Sequence, residues 1–237
     1  MTQTTDRAPG LEEWPDSPRP TGDVLTEQKP KWYRRPWVIP LALVVLGFLL
    51  YQLSPFRELN EATAPLPPHE GYARYWPSLL GHMFFGTIAM ITVVLQLWPK
   101  LRRNHPKVHR ISGRFYIVSS LISGALALSI LNFAPPVGRI GIGFATITWM
   151  AVTVMAFIRV RQGRYAAHRR LMLYSFAIVM NNVWGVIIVK SGLEFISDPS
   201  QMVYLLEAAR WCGWIVNLML VQWWLNRTEK RPEFVDA

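Results

Sequence analysis

Three histidines carry most of the chemistry open to this sequence. His109 and His168 each stand in a His-Arg pair at the start of an apolar run, and His82 sits about one turn into another such run. Imidazole ligates haem iron, and membrane b-type cytochromes hold haem between histidines on facing helices. His109 and His168 could therefore form a bis-His pair for haem b, with His82 serving a second haem at the opposite end. The basic surroundings of His109 and His168 favour the neutral ring that ligation needs. The same pairs admit a second chemistry. Arg110, Arg114, Arg169 and Arg170, gathered at helix starts, would offer guanidinium forks and free N–H groups to an anion. A phospholipid headgroup, a quinone oxygen or a carboxylate would fit such a site. The bland alternative is that these residues line a headgroup layer.

Other motifs fail. His105 and His109 have the spacing of a metalloprotease pair, but Pro106 starts a helix between them and no Glu intervenes. Gly138, Gly141 and Gly143 precede a helical run with no strand before it, so they form no nucleotide loop. A single cysteine, Cys212, excludes an intramolecular disulfide framework and a Cys-rich metal cluster. No Ser-His-Asp or Cys-His arrangement is present, and the catalytic residues, if there are any, are not identified by the sequence.

The elements that position these histidines are apolar. Of 237 residues, 51% are hydrophobic and 17% charged, against about 25% charge in a soluble domain. Many of the 11 tryptophans fall at the ends of apolar runs, where amphipathic rings prefer the headgroup region. A spanning helix needs about 20 mainly apolar residues. The segments 37–53, 78–98, 115–133, 141–160, 171–189 and 211–225 meet or approach this. The last is short, but Asp198-Pro199-Ser200 is a helix start with a capping side chain and Pro at the first helical position. That helix would run through Glu207 and Arg210 into the bilayer. No acidic residue lies inside the apolar segments, which argues against the carboxylate relays of ion-coupled transporters.

The expected fold is thus an all-α membrane bundle of six transmembrane helices. Residues 1–36 read as a disordered cytoplasmic tail, 37–226 as the spanning domain and 227–237 as a second cytoplasmic tail. Residues 1–31 are acidic and rich in proline, and no small-residue cleavage site follows the first apolar run, so that run is expected to be a retained span and not a signal peptide. With the N-terminus inside, 20 of the 25 basic residues fall on the cytoplasmic side. Only Arg57, Arg74, Arg139, Lys190 and Arg210 fall outside, as the positive-inside rule demands for a bacterial inner-membrane protein. The net charge of +10 is then a response to anionic lipid headgroups, and no nucleic acid is needed to explain it.

Packing is also written in the pattern. Ser119, Ser123 and Ala127 recur every four residues, as do Ser120 and Gly124, spacing that lets helices approach closely in lipid. Asn181, Asn182 and Asn217 lie midway along the last two spans and are expected to bond to neighbouring helices, since an unpaired amide in hydrocarbon costs about several kcal/mol. The second and third spans form a hairpin with a basic loop and a His-Arg pair, and the fourth and fifth repeat it in the same direction. Phe115-Tyr116 follows one pair, and Tyr174 and Phe176 follow the other. The bundle would therefore contain two parallel, repeated hairpins.

Gly81-His82, Gly86, Gln96, His109-Arg110-x-x-Gly113-Arg114-x-Tyr116, Trp149 and His168-Arg169-Arg170-x-Met172 together resemble the predicted membrane protein family called domain of unknown function 2306 (DUF2306), over about 78–190. Leu171 and Tyr174 depart from the Trp and Arg common in that family. The resemblance implies topology and assigns no activity. Three functions remain open: electron transfer through haem or quinone, a scaffold or accessory role beside a membrane partner or a second copy, and carriage of a small anionic or amphipathic molecule.

Overall fold

A computed structural model describes residues 37–228. The expected tail 1–36 and the residues after 228 lie outside the described residues. Among those described, the regular elements are helical: α1 Val38–Leu53, α2 Tyr75–Leu97, α3 Pro99–Asn104, α4 Pro106–Ser129, α5 Arg139–Arg161, α6 Tyr165–Val179, α7 Asn181–Leu193 and α8 Met202–Thr228. Five stretches are long and apolar enough to cross a membrane: Val38–Phe56, Tyr75–Leu97, Pro106–Ser129, Arg139–Arg161 and Tyr165–Leu193. Their outer faces carry bare side chains such as Leu43, Phe115, Ile140 and Phe144, each more than half exposed. Such a surface is costly in water and unremarkable in hydrocarbon. The sixth expected span lies within α8. That helix is 27 residues long, but Glu207, Arg210, Asn217, Gln222 and Asn226 keep it out of the apolar set.

Helix α4 begins at Pro106, as the sequence indicates, and the apolar segment from 115 continues it. Proline at the first helical position loses no hydrogen bond there, and His105 before it is outside the helical conformation (φ −131°, ψ 63°). His109 and Arg110 consequently lie inside the helix. The fifth segment is longer than expected and interrupted at Met180, between α6 and α7. The Asn181-Asn182 pair follows the break, and short amide side chains compete with the backbone for its hydrogen bonds. Two of them serve the broken region: Asn217 Nδ2 on α8 donates to the Ala177 carbonyl at 3.0 Å, and Asn182 Nδ2 donates to the Val179 carbonyl at 3.2 Å. Irregular backbone at membrane depth persists only where such partners are available.

Helix α4 packs chiefly against α2 and also touches α5, while α5 pairs with α6, and α8 closes on α6 and α7. The serine stripes of α4 serve two neighbours. A Cβ at Gly86 of α2 would lie 3.2 Å from Ser123 Oγ, and one at Gly124 would lie 2.7 Å from Met150 of α5. Ser119, Ser120 and Ser123 are all buried, as the small-residue spacing required. Helix α1 lies at the margin, against α2 and α7.

Candidate functional site

The helix ends carrying the α1–α2, α4–α5 and α7–α8 connections gather at one end of the bundle, the loop end; the short α2–α4 and α5–α6 connections mark the basic end. A cavity of about 460 Å³ opens within the loop-end half. It draws on every long helix. His82 comes from α2, Gly124 from α4, Trp149 from α5, Asn181, Asn182 and Lys190 from α7, and Arg210 from α8. The break at Met180 places both asparagines on its wall. Its size falls in the range of small-molecule pockets, about 300–1,000 Å³.

His82 is oriented by α4. Its Nδ1 lies 3.0 Å from the Ser123 carbonyl oxygen, an atom that can only accept, so Nδ1 carries the ring proton. The Ser123 hydroxyl, also 3.0 Å from Nδ1, gives its own proton to the His82 carbonyl at 3.0 Å. The neutral ring thus keeps its lone pair on Nε2.

The two cations of the cavity are held differently. The Lys190 ammonium lies 5.6 Å from the centre of the Tyr51 ring, tying α7 to α1. Arg210 is half-buried, with its stem packed over Gly138, whose left-handed backbone (φ 71°) and missing Cβ make that approach feasible. Glu207, one turn earlier on α8, accepts the Gly138 N–H and, at 2.8 Å, the Trp211 indole N–H.

The wall of the cavity continues into a buried polar network. The Trp149 indole N–H donates to the Tyr116 hydroxyl at 3.1 Å. Tyr116 Oη lies 2.6 Å from Ser175 Oγ, and Ser175 Oγ lies 2.7 Å from Thr153 Oγ1. Tyr116, Thr153 and Ser175 are fully buried, so α4, α5 and α6 are joined by groups that have no water to turn to. Tyr116 and Trp149 belong to the motif residues noted in the sequence, and this is the place they occupy.

The basic end holds the remaining histidines. His109 lies near the start of α4 and His168 near the start of α6. His168 Nδ1 meets the Ala156 carbonyl at 2.9 Å, whereas His109 Nδ1 is buried without a protein partner. Gln96 bridges α2 to α4 here, donating to the His109 carbonyl at 2.9 Å and to Ser112 Oγ at 2.7 Å. Arg110 and Arg114 are exposed on α4. Arg170 turns toward α8, donating to Tyr174 Oη at 3.0 Å and Gln222 Oε1 at 3.3 Å. His82 is thus separated from the other two histidines, and it shares its cavity with Lys190 and Arg210. The sequence reading had counted those two only as exterior charges. The available signal was the placement of Arg210 inside a helix that continues into apolar residues, where an ionisable group is a functional candidate by default.

Stacked apolar helices, a bare apolar exterior and a polar interior define a multi-spanning helical membrane protein. The chain belongs to the family described as predicted membrane protein (DUF2306), whose profile matches residues 79–225. The match runs beyond the 78–190 suggested by the motifs, so α8 and Arg210 lie within the family region and only α1 among the long helices lies outside it. No curated protein and no solved structure matches the chain.

Proposed function

We propose a six-span protein of the bacterial inner membrane, with both termini cytoplasmic, whose loop-end cavity binds and carries a small anionic or amphipathic molecule. At about 1.5 Å per residue, α8 is long enough to cross a bilayer, and the buried bond from Asn217 to Ala177 suits a helix inside the bundle. The distribution of Lys and Arg assigns the basic end to the cytoplasm. Two related hairpins are supported by a coincidence of spacing. His109 and His168 differ by 59 positions, and so do Tyr116 and Ser175, which touch. Contact between corresponding residues is what an axis relating two parallel hairpins produces.

The single observation that carries the ligand reading is that Lys190 and Arg210 line the same cavity between helices as His82 and the interrupted α6–α7 run. Cations facing a cavity at membrane depth attract anions strongly, because little water screens them. The test is binding of octanoate and phenylacetate to the full chain in lipid nanodiscs, followed by uptake into proteoliposomes. Binding that falls tenfold or more in Arg210→Gln and Lys190→Gln is expected; no binding of any acid in a broad panel would refute the reading.

The electron-transfer reading is favoured by a different observation, the His109 Nδ1 that is buried without a hydrogen-bond partner among the described residues. His168, fixed through Nδ1 to the Ala156 carbonyl, would present Nε2 to a haem iron, as metal-binding histidines commonly do. Protein purified from haem-supplemented cells without a Soret band or pyridine-haemochrome signal would eliminate it.

A further inference from the structure

We infer that the ligand of the loop-end cavity carries a hydroxyl or N–H donor as well as its anionic group, and that His82 Nε2 receives that donor; the inference rests on the ligand reading above. The argument is one of orientation. The Ser123 carbonyl can only accept, so the 3.0 Å contact fixes the proton of the neutral ring on Nδ1. Nε2 is then an acceptor, and among the described residues it has no hydrogen-bond partner. His82 is among the residues that line the cavity. The Ser123 hydroxyl is already committed to the His82 carbonyl, so it cannot rotate to reverse the tautomer without losing that bond.

The remaining polar groups divide the cavity by function. Lys190 and Arg210 can only donate, and they suit a carboxylate or phosphate. The Asn181 side-chain oxygen lies against Gly213 of α8. Trp149, Ile178 and Val179 give the cavity an apolar lining. An acid with an apolar body and a donor complements all three. A ligand lacking the donor leaves Nε2 desolvated and unpaired, and a site built to bond a hydroxyl discriminates strongly against the analogue without it.

Two substitutions separate the ring nitrogens. Asparagine matches histidine near Nδ1, so His82→Asn can keep the bond to Ser123 while deleting the acceptor at Nε2. Glutamine reaches further, so His82→Gln restores an acceptor near Nε2. The probes are 4-hydroxyphenylacetate and phenylacetate, with affinities measured calorimetrically on the full chain in nanodiscs. The hydroxylated acid should bind at least tenfold tighter to the natural protein. That preference should vanish in His82→Asn, return in part in His82→Gln, and survive Arg210→Gln, which weakens both acids alike. Equal binding of the two acids to the natural protein overturns this inference and leaves the ligand reading standing, as does a preference unchanged in His82→Asn. Failure of both acids, and of matched hydroxylated and plain aliphatic acids, to bind overturns both.

Discussion

The Tyr116 hydroxyl and the Ser175 hydroxyl lie 2.6 Å apart, in contact across two hairpins whose His-Arg pairs share the same separation of 59 residues. Ser175 also meets Thr153, and Tyr116 accepts from Trp149. These four side chains tie α4, α5 and α6 together directly beneath a cavity that Trp149 helps to line.

Removal of either hydroxyl should loosen that junction. Tyr116→Phe strands the Trp149 N–H, and Ser175→Ala takes one partner each from Tyr116 and Thr153, which keep their bonds to the Trp149 indole N–H and the Trp149 carbonyl; an unsatisfied buried group costs about 1–3 kcal/mol. Side-chain bonds within membrane bundles couple by about 0.6 kcal/mol, with about 1.7 the upper end. A double-mutant cycle of these two changes, read by unfolding in mixed micelles, should fall in that range. A coupling of zero would mean that the contact contributes nothing.

Gly213 is expected to be intolerant of any side chain. A Cβ there would collide with Asn181 Oδ1 and lie 3.4 Å from the Asn181 backbone oxygen, whereas one at Gly47 would meet nothing within 4 Å. Gly213→Ala should lower the melting temperature by several degrees. Gly47→Ala should leave it unchanged or raise it slightly, since Gly costs about 1 kcal/mol relative to Ala within a helix. Equal effects at the two sites would count against the packing described for α7 and α8.

Asn217→Leu should destabilise the bundle by about 1–3 kcal/mol, because the Ala177 carbonyl would lose its side-chain donor beside the helix break. Asn217→Gln, with the same amide on a longer stem, should recover less than half of this. Hydrogen exchange of Asn181 to Trp184 is the more direct reading, and unchanged protection there would show that the break does not depend on α8.

The loop-end connection should respond to pH. His69 stacks on Tyr75 at 4.3 Å between ring centres and bonds through Nδ1 to the Pro67 carbonyl and through Nε2 to Glu61. The Pro67 bond first, then Glu61, hold its pKa above the ordinary 6.5. A raised folded pKa means that the stabilisation is fully present below the unfolded value and disappears as pH rises through the folded one. Hydrogen-exchange protection across residues 61–75, corrected for intrinsic rates, should therefore decline as the pH rises from 6.5 through the raised folded pKa. Glu61→Gln should shift that decline to lower pH; a flat profile in the natural protein would contradict the proposed protonation.

Much of the architecture was legible because its causes are local. Apolar length marks α1, α2, α4 and α5; Pro106 sets the start of α4, and serine spacing marks the face that α2 covers. The asparagines were recognisable as groups that had to find partners; Asn217 finds one on another helix, Asn182 bonds back along its own span to Val179, and Asn181 Oδ1 is buried without a partner among the described residues. The break at Met180 was harder to see. The run from 171 to 189 is apolar apart from a few small polar residues and the Asn pair, and an Asn pair interrupts a helix only where a neighbouring helix can serve the broken backbone.

The site divides along the same line. Residue types alone identified His82, His109 and His168 as able to ligate or accept a proton, and Tyr116 and Trp149 as members of a motif. What each does depends on directions that no local pattern encodes. The Ser123 carbonyl, 41 positions from His82, selects the ring tautomer. The packing of α7 against α1 and α8 brings Lys190 and Arg210 to one cavity, although in the sequence they look like ordinary exterior charges. Helix formation and membrane insertion follow from short-range composition, so the sequence by itself determines them. Which lone pair faces which cation is decided by packing between distant segments, and only the tertiary structure makes it visible.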